Sequence, residues 1–235
     1  MNRARKIIPV IVLLIFAVIA ASFSPICLWS PKSLSPALSD MFDVSKQIRD
    51  GFLAYVEVDG SYGPVIYELF GLGYLFTDGH AIHAIIEFLL IFGSLYYLYL
   101  AARNYCSELM SVIAAGIIVL LNAKTLTSVG PEEVLFFIFA CTAYHISTQI
   151  NQGYKGHHTY LLAVDMGLIF FAQPSYLFIW AGILIFFAIY FPATGLGKKQ
   201  YLRFWASILE GIITVAIPMC LYLLYFKNFN EFMQQ

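Results

Sequence analysis

The feature that most constrains this sequence is a succession of apolar runs, each near the length of a bilayer-crossing helix and almost free of charge. Residues 7–28 carry no charged side chain, directly after the basic Arg3, Arg5 and Lys6. Comparable runs follow at 81–102, 108–127, 132–150, 158–172, 175–191 and 204–226. A helix rising 1.5 Å per residue needs about 20 such residues to cross a hydrocarbon core roughly 30 Å thick. Composition agrees: 60% of residues are hydrophobic and 11% charged, with mean hydropathy +0.78. A soluble domain is about half apolar and a quarter charged, so the excess here must face lipid. The expected fold is an all-α polytopic membrane protein, a single transmembrane domain over residues 1–235. It has about seven transmembrane helices plus two interfacial helices in the first extracytoplasmic loop. A net charge of −1 gives no basic surface for nucleic acid. Cys27, Cys106, Cys141 and Cys220 have no CxxC spacing and read as buried free thiols.

The first run also looks like a signal peptide, with Ala20-Ala21-Ser22 resembling a cleavage site. Its length exceeds the roughly 7–15 residues of a signal core, which favours an uncleaved span with a cytoplasmic N-terminus. Residues 29–79 then form the extracytoplasmic loop, and six further spans occupy 80–226. In the loop Asp40 is expected to cap a helix reaching Tyr55, amphipathic through Val44, Ile48 and Phe52. Gly63-Pro64 opens a second helix over 64–76, too short to cross. With that count, Arg103, Lys155, Lys198, Lys199 and Arg203 fall inside, as the positive-inside rule requires. Glu132-Glu133 and Gln173-Pro174-Ser175 fall outside, with the loop acids Asp40, Asp43, Asp50, Glu57 and Asp59. The chain has no Gly-rich nucleotide loop, so chemistry on that side of a cell membrane needs a substrate delivered on lipid.

The spacing Gly51-x3-Tyr55-x-Glu57-x5-Gly63-Pro64-x2-Tyr67 resembles a motif of the bacterial membrane glycosyltransferases of the GT-C fold. These include protein O-mannosyltransferases and lipid A aminoarabinose transferases. GPEEVLFFIFACTAYHI looks like the family's second acidic motif, and FFAQPSYLF and AIPMCLYLLYFKNF look like its later helix breaks. Departures are Ala54 for the usual proline, Glu57 for Asp, Tyr62 where a lysine often precedes Gly-Pro, and Gln173 for a basic residue. The family's first-loop Asp maps to Asp40 through a small gap, with Asp43 the second choice. Family members usually continue through more spans, so the chain is expected to be a short version, a fragment or one half, with a partner subunit supplying missing spans.

The resemblance implies transfer of a sugar from a polyprenyl-phosphate carrier in the cell envelope, with Asp40, Asp43 and Glu57 as candidate catalytic carboxylates. It makes Tyr55, Tyr62, Tyr67, Glu132, Glu133 and Gln173 candidate substrate-binding residues. Read as residues alone, the loop acids are solvated charges, and Glu132-Glu133 complement the start of a helix. His80, His83 and Glu87 lie within roughly 60° of one helix face and are candidate ligands for a divalent metal. Asp165 and Glu210, inside spans, are expected to pair with Arg203 or tyrosine hydroxyls, and His157-His158 to be solvated. Rival readings are an inactive relative that binds a lipid-linked glycan or a partner, and a transporter or flippase of such an intermediate. Transporters show paired repeats with broken helices, and no internal repeat is visible here.

Overall fold

Each apolar run becomes a helix, and the described residues contain no strand, only an isolated bridge between Ala54 and Val58. The computed structural model describes residues 3–29, 31–58, 60–128 and 131–232, so Asp59 lies outside the described residues. In chain order the helices are α1 (Arg3–Ala21), α2 (Pro36–Arg49), α3 (Pro64–Tyr74), α4 (Ala81–Arg103), α5 (Glu108–Ser128) and α6 (Glu132–Gln152). There follow α7 (Gly156–Ala172), a short 3-10 turn at Pro174–Tyr176, α8 (Leu177–Ala193), α9 (Lys198–Tyr225) and α10 (Phe229–Phe232). Among the described residues five helical segments are long and apolar enough to cross a membrane: Ala81–Arg103, Glu108–Thr127, Glu132–Gln152, Pro174–Ala193 and Lys198–Tyr225. α1 contributes a shorter apolar stretch, Ile7–Ala21, and α7 has 17 residues. The protein is a polytopic helical membrane protein.

Several boundaries differ from expectation for local reasons. α1 stops at Ala21, not residue 28, because Pro25 disfavours helical backbone just before it and the Ser22 hydroxyl donates back to the Val18 carbonyl at 2.8 Å. α2 is capped by Ser35, whose hydroxyl accepts from the Leu38 N–H at 3.3 Å, with Pro36 at the first helical position. Asp40 is therefore an interior residue and not the cap, and the helix ends at Arg49, before Tyr55. α9 begins at Lys198, six residues ahead of the apolar run; its 28 residues span about 42 Å, so its basic first turns project beyond the apolar layer.

α6 is the most enclosed long helix, packed between α4 and α7. α1, α4 and α5 share one apolar cluster centred on Leu13, Leu95 and Val119. α7, α8 and α9 share another around Phe187, Phe191 and Phe204. α9 comes close to α7 because Gly211 has no side chain: a Cβ there would stand 2.4 Å from the Tyr160 carbonyl oxygen. Outward faces are bare hydrocarbon, with Leu121 81% and Phe178 82% exposed. Such residues belong in lipid.

α1 runs parallel to α5, since Ile8, Pro9, Glu108 and Leu109 line one groove. Ser24, just past α1, bonds Glu87 near the start of α4. One end of the bundle therefore gathers the segment after α1, the starts of α4 and α6, and the ends of α7 and α9. α2 and α3 pack across that end through Met41, Phe42, Ile66 and Phe70, against Val134, Ile138, Ile169 and Trp180. Neither helix crosses the bundle.

Candidate functional site

The most polar cleft on this end follows from how α2 divides its faces. Leu38, Met41, Phe42 and Ser45 turn inward and are buried. Asp40, Asp43 and Gln47, at i, i+3 and i+7, share the opposite side and are exposed. Together with Ser61, Tyr62 and Tyr67 from the connection to α3 they line a cleft of about 560 Å3. The cations of α2 turn elsewhere: Lys46 Nζ lies 3.9 Å from Asp78, and Arg49 lies 2.7 Å from Asp50 and 3.5 Å from Asp78. Among the described residues neither Asp40 nor Asp43 forms an ion pair. Their charge faces the cleft.

The far wall is held by tyrosines. The Tyr55 hydroxyl donates to the Tyr62 carbonyl at 2.8 Å, and the Tyr62 N–H donates to the Tyr67 hydroxyl at 3.0 Å. Tyr55 takes φ 66, a left-handed conformation costly for a bulky residue. It is kept there by that hydrogen bond, by its N–H to the Val58 carbonyl at 2.9 Å, and by packing on Phe232 at 5.8 Å. Burial raises the Tyr55 phenol well above its ordinary value, and Tyr67, Tyr222 and Glu68 add to this. Burial also raises Tyr62, helped by the carboxylates of Glu132 and Glu133. Both remain neutral hydroxyls at physiological pH. Tyr62 thus stands between the Asp40–Asp43 cleft and the start of α6. Gly63 pins this wall to α7, its N–H donating to the Ala172 carbonyl at 2.8 Å.

The remaining candidates are distributed around the cleft. Glu57 is exposed and accepts the Leu53 N–H at 2.8 Å, closing the turn in which Tyr55 is bent; it does not line the cleft. Glu132 is half-buried and Glu133 buried, and each has a carboxylate oxygen with no hydrogen-bond partner. Gln173 is half-buried at the end of α7, its N–H bonded to the Ile169 carbonyl at 2.7 Å. His80, His83 and Glu87 do not converge as metal ligands. A ring nitrogen of His83 bonds the Phe70 carbonyl at 2.8 Å, while Glu87 accepts from the Ser24 hydroxyl at 2.8 Å. Among the described residues no group of three His, Cys, Asp or Glu could hold a metal. His80 instead packs on Phe42 at 4.6 Å between ring centroids. Burial lowers its pKa below the usual histidine value, partly offset by Asp43.

At the same end of the bundle an apolar groove of about 310 Å3 opens between α1 and α4, with Ser24 and Glu87 among its lining residues. It shares Cys27 and Leu28 with a neighbouring, mostly apolar hollow whose polar members are Lys32 and His80. Gln47, Ser61, Ser24 and Lys32 were not foreseen. Gln47 was legible from its spacing to Asp43; the others required the loop's path. Three further expectations are corrected. His158 is buried and bonded to His145, not solvated. Asp165 accepts from Thr142 at 3.1 Å, while Glu210 is exposed, with no ion pair to Arg203. Cys106 is exposed rather than buried. Comparison with protein-family models, curated proteins and solved structures finds no match.

Proposed function

We propose that the chain acts as a GT-C-type membrane glycosyltransferase, moving a sugar from a polyprenyl-phosphate carrier to an acceptor on the extracytoplasmic side. The observation that carries this reading is the cleft in which Asp40 and Asp43, with no ion pair among the described residues, face Tyr62 and Tyr67 at one end of the bundle. Arg103, Lys155, Lys198 and Lys199 at the opposite end, against Lys32, Lys46, Arg49 and Lys227 at this one, support an outside cleft through the positive-inside rule when Arg3, Arg5, Lys6 and Arg203 are counted with the former. The α1–α4 groove offers an apolar channel for the prenyl chain, and Lys32 in the adjoining hollow offers a cation to its phosphate. Asp40, with Asp43 beside it, takes the proton of the acceptor nucleophile as that atom bonds the anomeric carbon. The carbon–oxygen bond to phosphate breaks, and the phosphate leaves with the electron pair.

The test is sugar transfer in membranes containing the full chain and a labelled polyprenyl-phosphate sugar. General-base catalysis contributes about 10²–10⁴-fold, so Asp40→Asn or Asp43→Asn should lower transfer by at least the lower figure. Full transfer in both variants overturns the assignment. A second reading, transport of a lipid-linked intermediate, draws on the ionisable residues His145, His158 and Asp165 inside the bundle. Movement of the labelled lipid between leaflets without transfer of its sugar would select it.

A further inference from the structure

Away from the cleft, α6 and α7 carry a line of ionisable side chains that the proposed transfer does not use. Its outer end is His157, exposed at the start of α7, with its ring 4.1 Å from that of His158 between centroids. His158 is 6% exposed, and its Nδ1 lies 2.9 Å from Nδ1 of His145, which is 5% exposed. His145 Nε2 in turn lies 4.0 Å from Asp165 Oδ2, and that oxygen accepts from the Thr142 hydroxyl at 3.1 Å. Asp165 is nine residues into α7, about 13 Å along its axis and close to half the thickness of a hydrocarbon core. The line starts at the end of the bundle opposite the Asp40–Asp43 cleft.

We infer that His157, His158, His145 and Asp165 form a proton relay that loads one proton onto Asp165 from the bundle end bearing Lys155. Two Nδ1 atoms 2.9 Å apart have room for one hydrogen between them, so one ring donates and the other accepts. The 2.9 Å separation is that of a hydrogen bond and is shorter than the roughly 3.3 Å that two nitrogens keep on one tetrahedral zinc, and among the described residues no group of three His, Cys, Asp or Glu could hold a metal. When a proton arrives on His158 Nε2, the His158 Nδ1–H bond breaks as a bond to His145 Nδ1 forms. The His145 Nε2–H bond then breaks as a bond to Asp165 forms. The last gap closes to hydrogen-bond distance when His145 Nε2 and the Asp165 carboxyl approach by about 1 Å. Net movement is one proton inward, with no other reactant, and reversal of the ring tautomers resets the line.

The surroundings suit this role. Lys155 and His157 stand at the mouth, Cys141 and Tyr144 come from α6, and Tyr97 comes from α4, its ring 5.7 Å from Tyr144. Among the described residues no cation pairs with Asp165 apart from His145 when protonated. α9 lies along α7, yet its acid Glu210 is exposed. A purely structural polar contact between the two helices needs one hydrogen bond. Here ionisable groups pass in order from an exposed histidine to a buried carboxyl.

The test is infrared spectroscopy of the full chain in lipid vesicles during pH titration, reading the protonated-carboxyl stretch. Asp165→Asn should lose a pH-dependent part of that band, and His145→Gln should shift the pH at which it appears. His157→Gln should keep the band but slow its exchange in heavy water. A band unchanged by Asp165→Asn belongs to other carboxyls such as Glu133, and that result overturns the relay, as does an unmoved midpoint in His145→Gln. If Asp165→Asn does not fold, Thr142→Val decides instead. Removing the hydroxyl must shift the Asp165 band, and an unshifted band refutes the inference.

Discussion

Gly63→Ala gives the sharpest test of how the cleft is held. A Cβ at this position would stand 2.0 Å from the Phe171 carbonyl oxygen and 2.5 Å from its carbon, both backbone atoms of α7 that cannot rotate away. Real Cβ contacts do not fall below 3.0 Å, so the wall carrying Tyr62 must retreat by about 1 Å. That retreat stretches the Gly63 N–H to Ala172 bond from 2.8 Å toward roughly 3.8 Å, beyond hydrogen-bond range. Leaving the pair unsatisfied costs about 1–3 kcal/mol. Residual overpacking adds about 1–3 kcal/mol. The expected destabilisation is therefore about 2–6 kcal/mol, concentrated in loop docking rather than in the spans. Limited proteolysis of the protein in micelles reads this directly. Residues 50–62 should become cleavable in Gly63→Ala while fragments containing α4–α9 stay intact. Protection equal to wild type would show that the loop is not seated on α7 as described.

Glu57→Gln should leave sugar transfer close to wild type, since Glu57 is outside the cleft; loss comparable to Asp40→Asn would return it to the catalytic set. Ser24→Ala strips the buried Glu87 carboxyl group of its hydrogen-bond donor and should cost about 1–3 kcal/mol, read as a lower thermal midpoint in micelles. Glu87→Gln keeps an acceptor for Ser24 and should cost less. Tyr74 is pushed up to about 12 by burial, then by Asp43, against the lowering effect of Arg49. Its folded value is raised, so its contribution is complete below pH 10 and is lost as pH rises from 10 toward 12. Tyr74→Phe should remove that alkaline loss of stability in a pH series, and an unchanged slope would contradict it.

Much of the fold was local and therefore legible. Span length is set by how many consecutive apolar residues the chain supplies, so α4, α5 and α6 begin within a residue or two of where hydropathy places them. Gly63-Pro64 announced α3 for an equally local reason, since proline suits a first turn. The cap of α2 was equally local but misassigned: Ser35-Pro36 is the stronger signal, and Asp40 only the more conspicuous acid. Asp40 and Asp43 share a cleft because a helix repeat of 3.6 residues puts i and i+3 on one side.

Sequence alone thus decided that this chain is a membrane helix bundle with two short helices and a group of acids at one end. Tertiary structure alone decided which of those acids meet. Glu57 is drawn out of the cleft by the left-handed turn at Tyr55, itself stabilised by Phe232 far along the chain. His158 sits beside His145 because α7 folds back along α6, and a side chain's solvation depends on the neighbouring helix, which periodicity on its own helix does not encode.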